Sequence, residues 1–272
     1  MKSVLGIDIG GSTTKIIGYR DGKIFSPLIV KSSDPRASLY GAFGKFMSEN
    51  GLSLADVESV MITGVGSHDC GNDIFGVKMR RIDEFQAVGR GGLFLSELDS
   101  AVVVSMGTGT AFVSASGKGV FHIGGTGIGG GTLLGLASRM FNVRDFNDIV
   151  EMAKEGDLEN VDLHIGDISR ADIENMTSTT TASNFGKIRD LASNDDLALG
   201  IINMVFQTIG VMAVFSAKNE KTDNIVLTGN LTNVPQAKKI FENVAALYGV
   251  KFITPEHSEY ATATGAALMS DY

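Results

Sequence analysis

Two acids, a lysine and three glycine-rich runs carry most of the chemistry this sequence can offer. Asp8 closes the apolar run Val4-Leu5-Gly6-Ile7 and opens the segment Asp8-Ile9-Gly10-Gly11-Ser12-Thr13-Thr14-Lys15. Small residues in a tight turn let backbone N–H groups approach an anion closely, and phosphate oxygens are the usual ligand. An acid at the strand end suits Mg²⁺, held mainly through water because that ion keeps much of its hydration shell. Lys15 adds positive charge where a β or γ phosphate would lie. Taken alone, the segment is equally a plain β-hairpin.

A second copy changes the balance. Ala101-Val102-Val103-Val104-Ser105-Met106-Gly107-Thr108-Gly109-Thr110 follows the same plan of apolar strand, small-residue turn and second strand. Two such loops, about a hundred residues apart, suggest duplicated lobes facing one cleft, although two unrelated hairpins would look alike. The third run, Gly124 to Gly131, contains a formal G-x-G-x-x-G at Gly125, Gly127 and Gly130. A dinucleotide site needs a strand with a terminal acid about twenty residues later. Here Asp145 and Asp148 fall in a helical segment, so nucleotide contact at a helix N-terminus is the preferred reading. Gly22-Lys23, Gly44-Lys45, Gly117-Lys118 and Gly186-Lys187 all lack a following Ser or Thr, which excludes a P-loop.

The elements that must hold these groups can be read from periodicity. Val4–Ile9, Thr13–Tyr19 and Ile24-Phe25 form a strand meander with a turn at Asp21-Gly22. Ser33-Asp34-Pro35 caps a helix whose apolar face is Leu39, Phe43, Phe46 and Met47. Val57–Thr63 and Arg80–Ile82 read as strands, and a helix starts at Glu84. Later helices are expected over Thr132–Phe141, Asp145–Lys154 and Thr262–Met269, and a strand over Asn224–Thr228 before Gly229-Asn230. Leu197 to Ala217 lacks charge and approaches the ~20 residues of a bilayer span. Asn203, Gln207, Thr208, Ser216 and the preceding Asp195 and Asp196 favour a helix buried in a lobe core or a subunit interface.

The chain has 272 residues, which is comfortable for two lobes, and a net charge of −8. That charge argues against a nucleic-acid partner. Its single cysteine, Cys70, excludes an internal disulfide and a cysteine-rich metal site within one chain, and fits a reducing cytoplasm. An acid interrupts the first apolar run, so no secretory signal is expected.

Gly6-Ile7-Asp8-Ile9-Gly10-Gly11-Ser12, Met106-Gly107-Thr108-Gly109-Thr110, Gly124 to Thr132 and Ala182-Ser183-Asn184-Phe185-Gly186 resemble, in order and spacing, the successive motifs of type II pantothenate kinases. Met152-Ala153-Lys154-Glu155-Gly156-Asp157 is similar to that family too. The resemblance implies an α/β, two-lobed actin-like ATPase fold, a duplicated ribonuclease H-like plan, and the repeat sets its lobes over 1–100 and 101–272. It implies ATP- and Mg²⁺-dependent phosphorylation of pantothenate, the first step towards coenzyme A, by a cytoplasmic homodimer with no membrane or nucleic-acid partner. It places nucleotide contacts on Asp8, Gly10, Gly11, Ser12, Thr13, Thr14, Lys15, Thr108, Gly130, Gly131, Thr132, Leu133, Leu134, Phe146 and Asn230. The metal falls to Asp8, the catalytic base to Glu84, and substrate contacts to Glu84, Thr108 and His122. A carboxylate where a strand gives way to a helix can accept a hydroxyl proton, although a first-turn glutamate also simply favours a helix N-terminus.

Two positions depart from the pattern. Gln86 stands where the family commonly has Asp, and His122 where it generally has Arg. An imidazole does not replace a permanent bidentate charge, so pantetheine, a sugar or an amino sugar stays open as the acceptor. Without the resemblance, His122 reads as an ordinary polar residue beside a glycine loop. A non-kinase alternative, an iron–sulfur ATPase that activates a dehydratase, shares the opening motif but needs two cysteines per chain.

Overall fold

Aliphatic and β-branched runs separated by Gly and Asp turns build two sheets, here described from a computed structural model over residues 2–31, 34–170 and 176–271. The first sheet holds β1 (Ser3–Ile9), β2 (Thr13–Arg20), β3 (Lys23–Lys31), β4 (Val57–Thr63), β5 (Asp73–Ile74) and β6 (Val77–Arg81), ordered β3-β2-β1-β4-β6-β5. The second holds β7 (Ser100–Met106), β8 (Thr110–Ser116), β9 (Gly119–Thr126), β12 (Asn224–Thr228) and β13 (Lys251–Ile253), ordered β13-β12-β7-β8-β9. A small pair, β10 (Leu163–His164) and β11 (Thr181–Ser183), lies apart. In each main sheet an antiparallel meander is followed by two strands parallel to its first. One topology is thus used twice.

Helices fill the faces. α1 (Pro35–Glu49) buries Leu39, Phe43, Phe46 and Met47 against one side of the first sheet, as the spacing predicts. Its cap is Asp34, whose side chain accepts from the Ala37 amide at 2.7 Å; Ser33 lies outside the described residues. α2 (Glu84–Ser96) packs on the second sheet through Val88, and α8 (Ala261–Leu268) on the first through Ala263, Ala266 and Ala267. These two helices cross between the sheets at glycine contacts. A Cβ on Gly91 would stand 1.8 Å from the Ala261 carbonyl oxygen, and one on Gly265 1.8 Å from that of Ala87. No side chain fits there, so backbone meets backbone.

The far side of the second sheet is covered by α3 (Gly130–Met140), α4 (Phe146–Met152), α6 (Asn194–Asn219) and α7 (Pro235–Tyr248); a short α5 (Ile165–Ile168) follows β10. α6 begins at a capping box formed by Ser193 and Asp196. It is long and apolar enough to cross a membrane, yet Ile201, Ile202, Val205, Phe206, Ile209 and Val214 are buried in the core of the second sheet. The core-helix reading stands. Three parts of the fold escaped sequence reading: α7 with β13, the small β10–α5–β11 unit, and the strand character of Gly124 and Gly125 in β9, which pair with Phe112 and Ala111 of β8.

Candidate active site

The C-terminal ends of β1, β4 and β7 point at one cavity of about 580 Å³ between the sheets. Open sheets with parallel strands bind ligands at such ends. The β1–β2 hairpin turns through Gly10–Thr13, with Ile9 opposite Thr14 and the Gly10 amide donating to the Thr13 carbonyl at 3.0 Å. Gly11 and Ser12 keep their N–H groups out of backbone hydrogen bonds among the described residues. Asp8 sits directly opposite Lys15, carboxylate and ammonium 3.7 Å apart, and is only 8% exposed. Burial pushes the Asp8 carboxyl above the usual carboxylate range, and Lys15 offsets only part of that.

The β7–β8 hairpin presents Thr108 and Gly109 in the same manner. It is braced from behind by the third glycine run. The Gly130 and Gly131 amides donate to the Gly107 and Thr108 carbonyls, each at 2.9 Å, and the Thr110 hydroxyl donates to the Ile128 carbonyl at 2.8 Å. Gly129 is required there, since a Cβ would fall 2.6 Å from the Thr108 oxygen. Thr132 closes the brace by accepting from the Gly129 amide and donating to the Gly127 carbonyl.

Glu84 opens α2 directly after its cap, Asp83, which accepts from the Gln86 amide at 3.0 Å. The Glu84 carboxyl is held above its ordinary range by burial first, then by the negative charges of Asp8 and Asp83, with Lys15 opposing. That is the direction a proton acceptor needs. Next to it, the Phe85 ring stacks on the His122 imidazole at 3.9 Å and 12°. Gln86 explains its own departure from the pattern: its side-chain amide donates to the Val120 carbonyl at 3.0 Å, tying α2 to β9, and a carboxylate cannot donate.

Asp8, Gly10, Gly11, Ser12, Thr13, Lys15, Glu84, Thr108, His122 and Asn230 therefore come together around the cavity. Asn230 donates to the Thr13 hydroxyl at 3.2 Å, linking the turn after β12 to the first hairpin. Thr14 faces the other way and is buried; Gly130, Gly131 and Thr132 stand behind the second loop; Leu133, Leu134 and Phe146 belong to the second sheet's core. Val65, Ser105, Thr126 and Thr262 also line the cavity and were not singled out from the sequence. Ser105 was findable, because the repeat sets it where the first copy has Asp8.

The chain is similar to solved structures that share this two-sheet plan. It superposes on the activator of a 2-hydroxyisocaproyl-CoA dehydratase from Clostridium difficile with bound ADPNP (17% identity, TM-score 0.67, 98% of this chain and 93% of that one). It superposes likewise on a ROK family glucokinase from Streptomyces griseus in complex with glucose and AMPPNP (13%, TM-score 0.63, 99% of each). At such identity the likeness establishes the fold, a two-lobed actin-like α/β architecture. Curated relatives are more specific. Type II pantothenate kinases from Staphylococcus aureus (27% identical, 96% of this chain and 97% of theirs) and Bacillus cereus (26%, 89% of each) align along nearly the whole length. The model of the family described as Fumble matches residues 97–269, which spans β7 with its loop, the glycine brace, α6 and the turn at Asn230. With well over half of its length inside that match, the chain belongs to the Fumble family, the type II pantothenate kinase family.

Proposed function

We propose that this protein transfers the γ-phosphoryl group of ATP to the primary hydroxyl of pantothenate, giving 4′-phosphopantothenate and ADP. The observation that carries this reading is the meeting, in one cavity, of two amide-bearing loops, a buried Asp8–Lys15 pair and a Glu84 whose carboxyl burial holds above its ordinary range. The Gly11, Ser12, Thr108 and Gly109 amides suit phosphate oxygens from two sides. Glu84 accepts the hydroxyl proton as the new P–O bond forms and the bond to the ADP oxygen breaks.

Mg²⁺, when bound with the nucleotide, would neutralise charge building on the phosphates. Asp8 is the residue to hold it. No group of three or more His, Cys, Asp or Glu capable of holding a metal occurs among the described residues. A lone carboxylate suits an ion bound mostly by water and phosphate. We further assign lobes over 1–100 and 101–272, cytoplasmic action and a homodimer. The exposed Phe215 on the largely apolar α6 supports the last of these. The dehydratase-activator alternative finds only one cysteine, and Cys70 is buried with its thiol on the Gly66 carbonyl.

The test is ADP release and phosphate-ester formation with ATP and a panel of pantothenate, pantetheine, glucose and glucosamine. Pantothenate should give the highest kcat/KM. ADP release that no acceptor stimulates would overturn the kinase reading, and a preference for a sugar would overturn the substrate.

A further inference from the structure

The cavity that holds Asp8 and Glu84 is also lined by a side chain with no polar atom at all. In the first sheet β4 lies between β1 and β6 and runs parallel to both. β1 delivers Asp8 to the cavity, and β6 leads through Ile82-Asp83 to Glu84. The residues just past β4 therefore emerge, in sheet order, between the strand that carries Asp8 and the one that leads to Glu84. They are Gly64, then Val65, which faces the cavity and is 66% exposed.

This exposed valine is held by more than its surroundings require. Gly64 has φ of 85°, and a Cβ there would fall 2.6 Å from both the Asp8 carboxylate and the Ile9 carbonyl oxygen. Only glycine lets the chain pass that close to Asp8. The turn that follows, Val65–Asp69, is clamped at its far end by the Arg81 guanidinium, which donates from Nε at 3.1 Å and from Nη2 at 2.8 Å to the Ser67 carbonyl. The same Nη2 reaches the His68 carbonyl at 3.3 Å. Arg36 donates to the Asp69 carbonyl at 2.5 Å. These bonds satisfy carbonyls of a turn whose Gly66 and Ser67 are buried, and they also fix its leading residue, Val65, which is apolar, exposed and faces the cavity.

We propose that Val65 is a specificity-determining residue for the acceptor, contacting the carbon next to the reacting hydroxyl, with Arg81 a positioning residue that fixes the turn. The inference rests on the functional reading above. A hydroxyl attacking between Asp8 and Glu84 presents its own carbon skeleton to Val65, and a valine can reward only apolar substituents there. Pantothenate carries two methyl groups on the carbon adjacent to its hydroxymethyl group. Phe85 lines the same cavity beside Glu84 and offers a second apolar surface.

The experiment compares kcat/KM for pantothenate with that for its analogue in which both methyl groups are replaced by hydrogen, in wild type, Val65→Ala and Arg81→Lys. Wild type should prefer the branched acceptor, and Val65→Ala should shrink that preference by about 4–15-fold, one to two methyl contacts' worth. The loss should sit in KM for the acceptor, with KM for ATP unchanged. Arg81→Lys keeps the charge but loses the planar fork, and should shrink the same ratio by a smaller factor. No turnover of pantothenate by wild type sinks the functional reading itself. Turnover with an equal preference in all three proteins, or an equal loss on both acceptors, overturns the assignment of Val65 while leaving that reading intact.

Discussion

The β1–β2 and β7–β8 hairpins are the same device built twice, and they differ in where their charge lies. The first pairs Asp8 with Lys15 across the ladder; at the matching rungs the second has Ser105 opposite Ala111. The first turn is met by the Asn230 side chain, while the second is braced by the Gly130 and Gly131 amides and the Thr110 hydroxyl. One copy has kept the groups that carry charge, and the other has become a rigid set of amides. A symmetric pair would place two like ion pairs across one cleft. On the proposed function, the asymmetric pair would leave one side for metal and proton transfer and the other for holding phosphate.

The sharpest way to break this division is to remove Glu84, on the charged side. Glu84→Gln should lower kcat by about 10²–10⁴-fold with KM for ATP little changed. The same variant should be more stable than wild type at neutral pH. A carboxyl whose folded pKa is raised binds more protons folded than unfolded, so its contribution to stability falls as pH rises from the ordinary carboxylate range through the raised value. Glutamine escapes that loss. In wild type, kcat/KM should drop on the acid side at a pH above the ordinary glutamate range. Single-turnover kinetics, thermal melts and a pH profile check the three parts, and unchanged turnover would remove Glu84 from the mechanism.

Next comes the contrast between Asp8 and its counterpart. Asp8→Asn should cost about 10–100-fold, most severely at limiting Mg²⁺, as loss of a carboxylate that steadies a hydrated metal does. Ser105→Ala, on the equivalent rung, should cost less than about threefold and leave the magnesium dependence alone, because no charge is lost there. Titration of activity with Mg²⁺ in both variants decides it. Equal shifts would mean that the two hairpins share the metal.

Much of this was legible in the sequence. The two hairpins, α1 with its cap, β4, the start of α2 and the buried character of α6 all follow from local pattern, since each is set by neighbours in the chain. What could not be read is what one element does to another. The Gly130 and Gly131 amides are held by the second loop's carbonyls, a pairing that no local spacing announces. Leu133, Leu134 and Phe146 pack in or against the second sheet's core, and a helix period alone does not say which face does so. Val65 is anonymous in sequence because its meaning comes from sheet order, β4 lying between β1 and β6. His122 carried a signal, yet its partner Phe85 lies on another element.

The smallest expected effect concerns the register of the repeat itself. An ungapped alignment sets Thr110 against Thr13, but the second turn is one residue shorter, so Thr110 opposite Met106 matches Thr14 opposite Ile9. In a strand, one residue of slip exchanges the two faces. Both threonines are buried, yet the Thr110 hydroxyl donates to the Ile128 carbonyl at 2.8 Å while the Thr14 hydroxyl has no hydrogen-bond partner among the described residues. Thr110→Val should therefore destabilise the protein by about 1 kcal/mol, through the lost bond and the stranded carbonyl. Thr14→Val removes an unpaired hydroxyl at nearly constant shape and should be neutral or stabilising. Urea denaturation of both variants measures the difference. Equal destabilisation would show that Thr14 has a partner of its own, and that bracing is not what separates the two copies.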